Sequence, residues 1–135
     1  YRNFYPDFDL KQAMELITEF KMPLEEHIVA LSKGEVEKLQ LILTFSRKAK
    51  LYILDEPLGG IDLVSRKHVL DLILKFYRED CTILISTHLI EEIESIFDEV
   101  IFLKGGNIVL HENVEEIRFH QGKAIHELFR EVFEK

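Results

Sequence analysis

Two runs in this chain are apolar without alternation: LYILD at Leu51–Asp55 and CTILIS at Cys81–Ser86. A short strand covered on both faces reads this way, whereas alternation of apolar and polar positions marks a strand with one wet face. Between the two runs, IDLVSRKHVLDLILKFYRED has helical spacing and begins at an Asp62 able to cap it. Strand, helix and strand in this order predict a parallel βαβ unit with a right-handed connection. Side chains at the C-terminal ends of such strands, here Asp55, Glu56 and His88, lie where ligands gather in open α/β sheets.

The flanks carry helical and hairpin patterns. Asp9 can cap a helix with apolar positions Leu10, Ala13, Met14, Ile17 and Phe20, closed off by Pro23. In LSKGEVEKL, Ser32 and Glu35 have capping-box spacing, which predicts a helix from there to about Arg47 with Val36, Leu39, Leu43 and Phe45 on its buried face. Beyond His88, LIEEIESIF reads as a short helix, and EVIFLKGGNIVLHE as two strands turning at Gly105-Gly106. The tail, GKAIHELFREVFEK, puts Ile125, Leu128, Phe129, Val132 and Phe133 on one helical face, suited to a core or a subunit contact more than to lipid because basic residues do not flank it. The organisation expected is a helical lead-in over residues 1–50 and an α/β core with a C-terminal helix over 51–135.

Composition narrows the function classes. A length of 135 residues suffices for one domain and a core, or for half of a larger domain. A formal charge of −8 argues against broad contact with nucleic acid, which rests on Lys and Arg neutralising phosphates. The single cysteine, Cys81, is expected as a buried strand residue and cannot form an internal disulfide, so nothing demands an oxidising compartment and the chain reads as intracellular. No apolar run reaches the ~18–20 residues of a membrane span. His27, His68, His111, His120 and His126 show no metal-ligand spacing and read as surface or packing residues.

Adjacent carboxylates at the end of an apolar run, followed at once by Pro57 and Gly59-Gly60, are the strongest chemical signal. Alone, Asp55-Glu56 could be a solvated strand end, His88 a loop histidine and Ser32 only a helix cap. Taken as a site, Asp55 suits Mg²⁺, a hard cation that keeps several waters and takes one or two carboxylates. Glu56 is then free to orient or deprotonate an attacking water, and His88 to reach the group under attack. Ser32 and Gly34 open a helix whose N–H groups and dipole favour an anion.

In order, LSKGE, LYILDEP, GGID and ISTH resemble the signature motif, Walker B strand, D-loop and switch histidine of ATP-binding cassette ATPases, and the likeness covers nearly the whole chain. The LSKG wording and the FLKGGNIVLHE ending look most like bacterial exporter ATPases of the antibiotic and peptide type. The resemblance implies a P-loop NTPase-like fold with part of the helical subdomain at the N-terminus. It implies Glu56 and His88 as catalytic residues, Asp55 as the Mg²⁺ ligand, and Ser32, Lys33, Gly34 and Asp62 on an ATP molecule held by the other subunit. The partners it implies are a second ATPase subunit, identical or not, and a transmembrane permease, with no nucleic acid; the place is the cytoplasmic face of the membrane. Lys33 and Glu35 stand where the family's usual LSGGQ has glycine and glutamine. G-x-x-x-x-G-K-[ST] does not occur in these residues, the one Gly-Lys pair being Gly122-Lys123. The chain is therefore expected to be a C-terminal fragment beginning inside the helical subdomain and inactive alone. A non-hydrolysing interaction module is the alternative, or a non-transport relative in DNA repair or chromosome maintenance, which the negative charge and lack of coiled-coil heptads disfavour.

Overall fold

The structure, a computed structural model, describes residues 1–134. It forms two compact units, Tyr1–His88 and the residues from Leu89 onward. The first unit holds helices α1 (Leu10–Glu19) and α2 (Lys33–Phe45), strand β1 (Leu51–Asp55), helix α3 (Leu63–Phe76) and strand β2 (Thr82–Ser86). β1 and β2 pair in parallel from Leu51↔Thr82 to Asp55↔Ser86, as the strand–helix–strand pattern predicts. Three caps work as their spacing implies. Asp9 accepts from the Gln12 N–H, Asp62 from the Val64 and Ser65 N–H groups, and Ser32 and Glu35 close a reciprocal capping box.

Phe45 joins the layers of this unit. Its ring, 1% exposed, stacks on Phe76 of α3 at 4.8 Å and meets Tyr52 of β1 at 5.0 Å. This side of β1, Tyr52 and Leu54, is buried. The expectation that both faces of the strands are covered fails: Leu51 and Ile53 are 51% and 66% exposed, and Leu84 is 48%. The reason is that β1 and β2 form a two-stranded sheet whose buried ring contacts all lie on the Tyr52 side. Cys81 likewise is half-buried in the loop before β2, not inside the strand.

Two helix faces also turn differently from their predicted stripes. In α1 the buried residues are Ala13 and Leu16, while Leu10 and Met14 stay 44% and 43% exposed. In α2 they are Gly34, Leu41, Ile42 and Phe45, with Val36, Leu39 and Leu43 half-buried. The close seat of Gly34 on α3 sets this rotation: a β-carbon there would lie 2.7 Å from the Ser65 β-carbon.

The second unit holds α4 (Ile90–Ile93), β3 (Glu99–Lys104), β4 (Asn107–Asn113), α5 (Val114–Gln121) and α6 (Ile125–Phe133). β3 and β4 form the expected hairpin, and both turn glycines have positive φ, 58° and 78°, as a tight two-residue turn requires. α5 has no counterpart in the apolar periodicity. Its signals are the cap at Asn113, Glu115 and Glu116 in the first turn, and Gly122 in the left-handed conformation at its end. The α6 face packs as predicted: Ile125 and Leu128 are buried with Val100, Phe102, Val114 and Ile117, and Phe129, Val132 and Phe133 rest against them. His126 and Arg130 of α6 pair with Glu94 and Glu91.

Because Phe45 touches helix and strand together, Phe45→Ala is expected to destabilise the chain by about 3–5 kcal/mol. Denaturant unfolding of the two proteins measures this, and a loss below about 1 kcal/mol would place the joint elsewhere.

Candidate functional site

The parallel register sets Asp55 and Ser86 side by side at the C-terminal strand ends. The Ser86 hydroxyl donates to Asp55 Oδ1, fixing the carboxylate on the exposed face. Glu56 then leaves the strand in a left-handed conformation, φ 47°, one of two non-glycine residues with positive φ among those described. Such a backbone costs about 1–3 kcal/mol and persists only where its surroundings impose it. Here they do. The Glu56 N–H donates to the Ser86 carbonyl at 2.9 Å and lies 3.3 Å from its hydroxyl, and the Glu56 carbonyl accepts from the Gly59 N–H at 2.9 Å. Pro57 and Leu58 are buried, Leu58 completely, and pin the turn from below.

The kink aims the Glu56 side chain toward β2, where Oε1 meets His88 Nδ1 at 2.8 Å. This contact uses Nδ1 and leaves Nε2 off Glu56. Protonated, the same nitrogen becomes a donor. Oε2 has no hydrogen-bond partner and is shielded, although the side chain as a whole is 40% exposed. Asp55, by contrast, offers an exposed carboxylate already oriented by a hydroxyl. Among the described residues no cluster of three or more His, Cys, Asp or Glu side chains could enclose a metal. A single exposed carboxylate fixed by a hydroxyl is a ligand type that suits a hydrated cation such as Mg²⁺.

The remaining predicted residues form a second group around the first turns of α2 and α3. Glu35 Oε2 accepts from the Ser32 N–H at 2.8 Å and from its hydroxyl at 2.6 Å. Asp62 accepts from the Ser65 hydroxyl at 2.7 Å as well as from two backbone N–H groups. Gly34 lies against Ser65, and Lys33 lies against Gly60. The two groups share the loop from Pro57 to Ile61, since Gly59 is bonded to Glu56 and the Lys33 side chain lies beside Gly60. Ser86 and Ser65 orient both carboxylate groups and were not singled out by motif. The signal for Ser86 is its register opposite Asp55; for Ser65, its position three residues after a capping Asp. Two shallow clefts along α1, lined by residues such as Gln12, Glu15 and Arg78, include none of these groups.

Strand-end carboxylates stand on a parallel pair, with a capped helix packed beside the loop that follows them, in a mixed α/β framework. No family model matches the chain. It is 35% identical over 118 residues to the ABC transporter ATP-binding protein YtrB of Bacillus subtilis, covering 87% of this chain and 40% of YtrB. It is 39% identical over 90 residues to the ABC transporter ATP-binding protein MJ1023 of Methanocaldococcus jannaschii, covering 67% of this chain and 34% of that one. Among solved structures, the ATP-binding subunit of an ABC transporter superposes with a TM-score of 0.75 at 26% identity over 90% of this chain and 52% of its own. The chain belongs to the ATP-binding cassette ATPase family and spans about 40% of the length of YtrB.

Hydrogen bonds from the Ser32 hydroxyl, then its N–H, hold Glu35 below its ordinary value of 4.5. Those from the Ser65 hydroxyl, then its N–H, hold Asp62 below 3.8. A lowered folded-state value means stability present above the ordinary value and lost as pH falls through the folded one. Acid titration is therefore expected to weaken both helix starts, beginning near 4.5 and continuing below 3.8. A Glu35→Ala/Asp62→Ala variant should lose less stability over that window, as read by denaturant midpoints across pH; an equal loss would place the acid sensitivity elsewhere.

Proposed function

We propose that these residues are the hydrolysis half of an ATP site in an ABC transporter ATPase, working across a head-to-tail dimer to drive a membrane permease at the cytoplasmic face. The observation that carries this reading is the division of labour at the β1 end: Asp55 exposed and fixed by Ser86, Glu56 turned aside with one oxygen on His88 and the other unpartnered. Family membership supports ATP as the substrate. The relatives' names support the transporter role.

In this reading Asp55 would hold Mg²⁺, which when bound supplies neutralising charge beside the phosphates. The Glu56 carboxylate accepts a proton from, or orients, the attacking water. His88 holds Oε1 and presents Nε2 to the phosphoryl group. In the same reading the α2 N-terminus, with Ser32, Lys33 and Gly34, would face the nucleotide of the partner subunit, and Asp62 would lie beside it. The phosphate-cradling loop has to be supplied by residues outside these 135. The chain alone is accordingly expected to bind Mg-ATP more weakly than about 1 μM, since that affinity corresponds to about −8 kcal/mol. Micromolar binding by calorimetry would contradict the half-site reading.

The decisive comparison uses an ATPase that includes the phosphate-binding loop. Glu56→Gln keeps the shape of the side chain and should retain Mg-ATP binding while hydrolysis falls by roughly 10²-fold or more. With nucleotide persisting between subunits, the variant should also accumulate as an ATP-dependent dimer. Asp55→Asn should instead weaken Mg²⁺-dependent binding. Parent-level hydrolysis by Glu56→Gln would make the second carboxylate structural.

A further inference from the structure

Gly34 lies in the first turn of α2 with negative φ, so its conformation does not call for glycine, and glycine weakens a helix relative to alanine. Its surroundings do call for it. Gly34 is buried, and a β-carbon there would collide with the Ser65 hydroxyl and lie 2.7 Å from the Ser65 β-carbon. A β-carbon is fixed to the main chain and cannot swing aside as the tip of a long side chain can. Ser65, in the first turn of α3, also engages both oxygens of Asp62: its N–H donates to Oδ1 at 3.0 Å and its hydroxyl to Oδ2 at 2.7 Å. A helix cap needs only one carboxylate oxygen. With both held, the Asp62 carboxylate cannot turn about its own bond, and its Oδ2 would stand 3.9 Å from a β-carbon on Gly34.

We infer that Ser65 is a positioning residue with two tasks: its β-carbon sets the spacing at which the start of α2 stands on α3, and its hydroxyl locks the Asp62 carboxylate beside Gly34. Ser32, Gly34 and Asp62 thereby hold one fixed arrangement. The packing part of this rests on the fold alone. The functional part rests on the ATPase reading above, in which these residues meet the nucleotide of the partner subunit. Ser65 then governs how firmly a second subunit closes on bound ATP, and leaves each subunit's own hold on Mg-ATP unchanged.

The two tasks are judged separately in the 135-residue chain. Gly34→Ala should lower the melting temperature, and the drop should shrink by about half or more in a Ser65→Gly background, where the added methyl group finds room. Ser65→Ala keeps the β-carbon and removes the hydroxyl, so by NMR the Asp62 carboxylate should titrate at higher pH than in the parent, nearer its ordinary 3.8. Equal drops in the two backgrounds overturn the spacing task, and an Asp62 titration unmoved by Ser65→Ala overturns the locking one. The functional part is read in an ATPase that includes the phosphate-binding loop and carries Glu56→Gln. There Ser65→Leu, which wedges α2 away from α3, should raise the ATP concentration needed for dimer formation by about tenfold or more, while the separate subunits bind Mg-ATP as tightly as the parent. Dimer formation at the parent's ATP concentration would confine Ser65 to packing and overturn its role toward the partner, and so would loss of the subunits' own Mg-ATP binding. If no dimer forms even with Ser65 in place, the ATPase reading fails while the melting and titration results still judge the contact.

Discussion

Glu56 has a backbone hydrogen bond on either side, to the Ser86 carbonyl before it and from the Gly59 N–H after it. Together they hold a left-handed turn that an L-residue adopts at a cost of about 1–3 kcal/mol. With an ordinary extended backbone at this position, consecutive side chains would leave on opposite faces of the sheet. The kink is what gives Asp55 and Glu56 two different environments one residue apart: a hydroxyl-anchored, exposed carboxylate and a histidine-paired one with a shielded oxygen. The difference in their surroundings therefore depends on conformation, since their intrinsic acidities differ little.

The same turn ties the strand ends to the helix starts. Between Glu56 and the Asp62 cap of α3 run only five residues, and these touch both Glu56 and the first turn of α2. The tight seat of Gly34 on Ser65 brings the two helix N-termini together, so their caps, Ser32 with Glu35 and Asp62 with Ser65, stand as neighbours.

What was legible in the sequence was local. Caps at Asp9, Ser32 and Asp62, the paired strands, and the glycine turn at Gly105-Gly106 follow from interactions spanning three or four residues or from one backbone requirement, and each stands where its spacing put it. The motif order also led to the correct family. Features set by distant partners were not legible. Nothing in LYILD says that Leu51 and Ile53 face outward, because that depends on what packs above them. The α2 stripe rotated onto Leu41 and Ile42 because Gly34 can approach Ser65, a contact 31 positions away. Lys33 over Gly60 and Ser86 on Asp55 belong to the same kind, and α5 was hidden because its marks are polar ones at its two ends.

The alternation along β1 has a genetic consequence. Leu51, Ile53 and Asp55 share the open face, and Tyr52 and Leu54 the closed one, so the position of the Asp55 carboxylate is counted in twos from the start of the strand. Conservative exchanges among the apolar residues of LYILD leave that count intact. Deleting any single codon from 51 to 54 changes its parity: Asp55 would move opposite Ile85 and turn inward, and the Ser86 hydroxyl would lose its acceptor. For this stretch, reading frame within the strand matters more than the identity of the aliphatic residues that fill it.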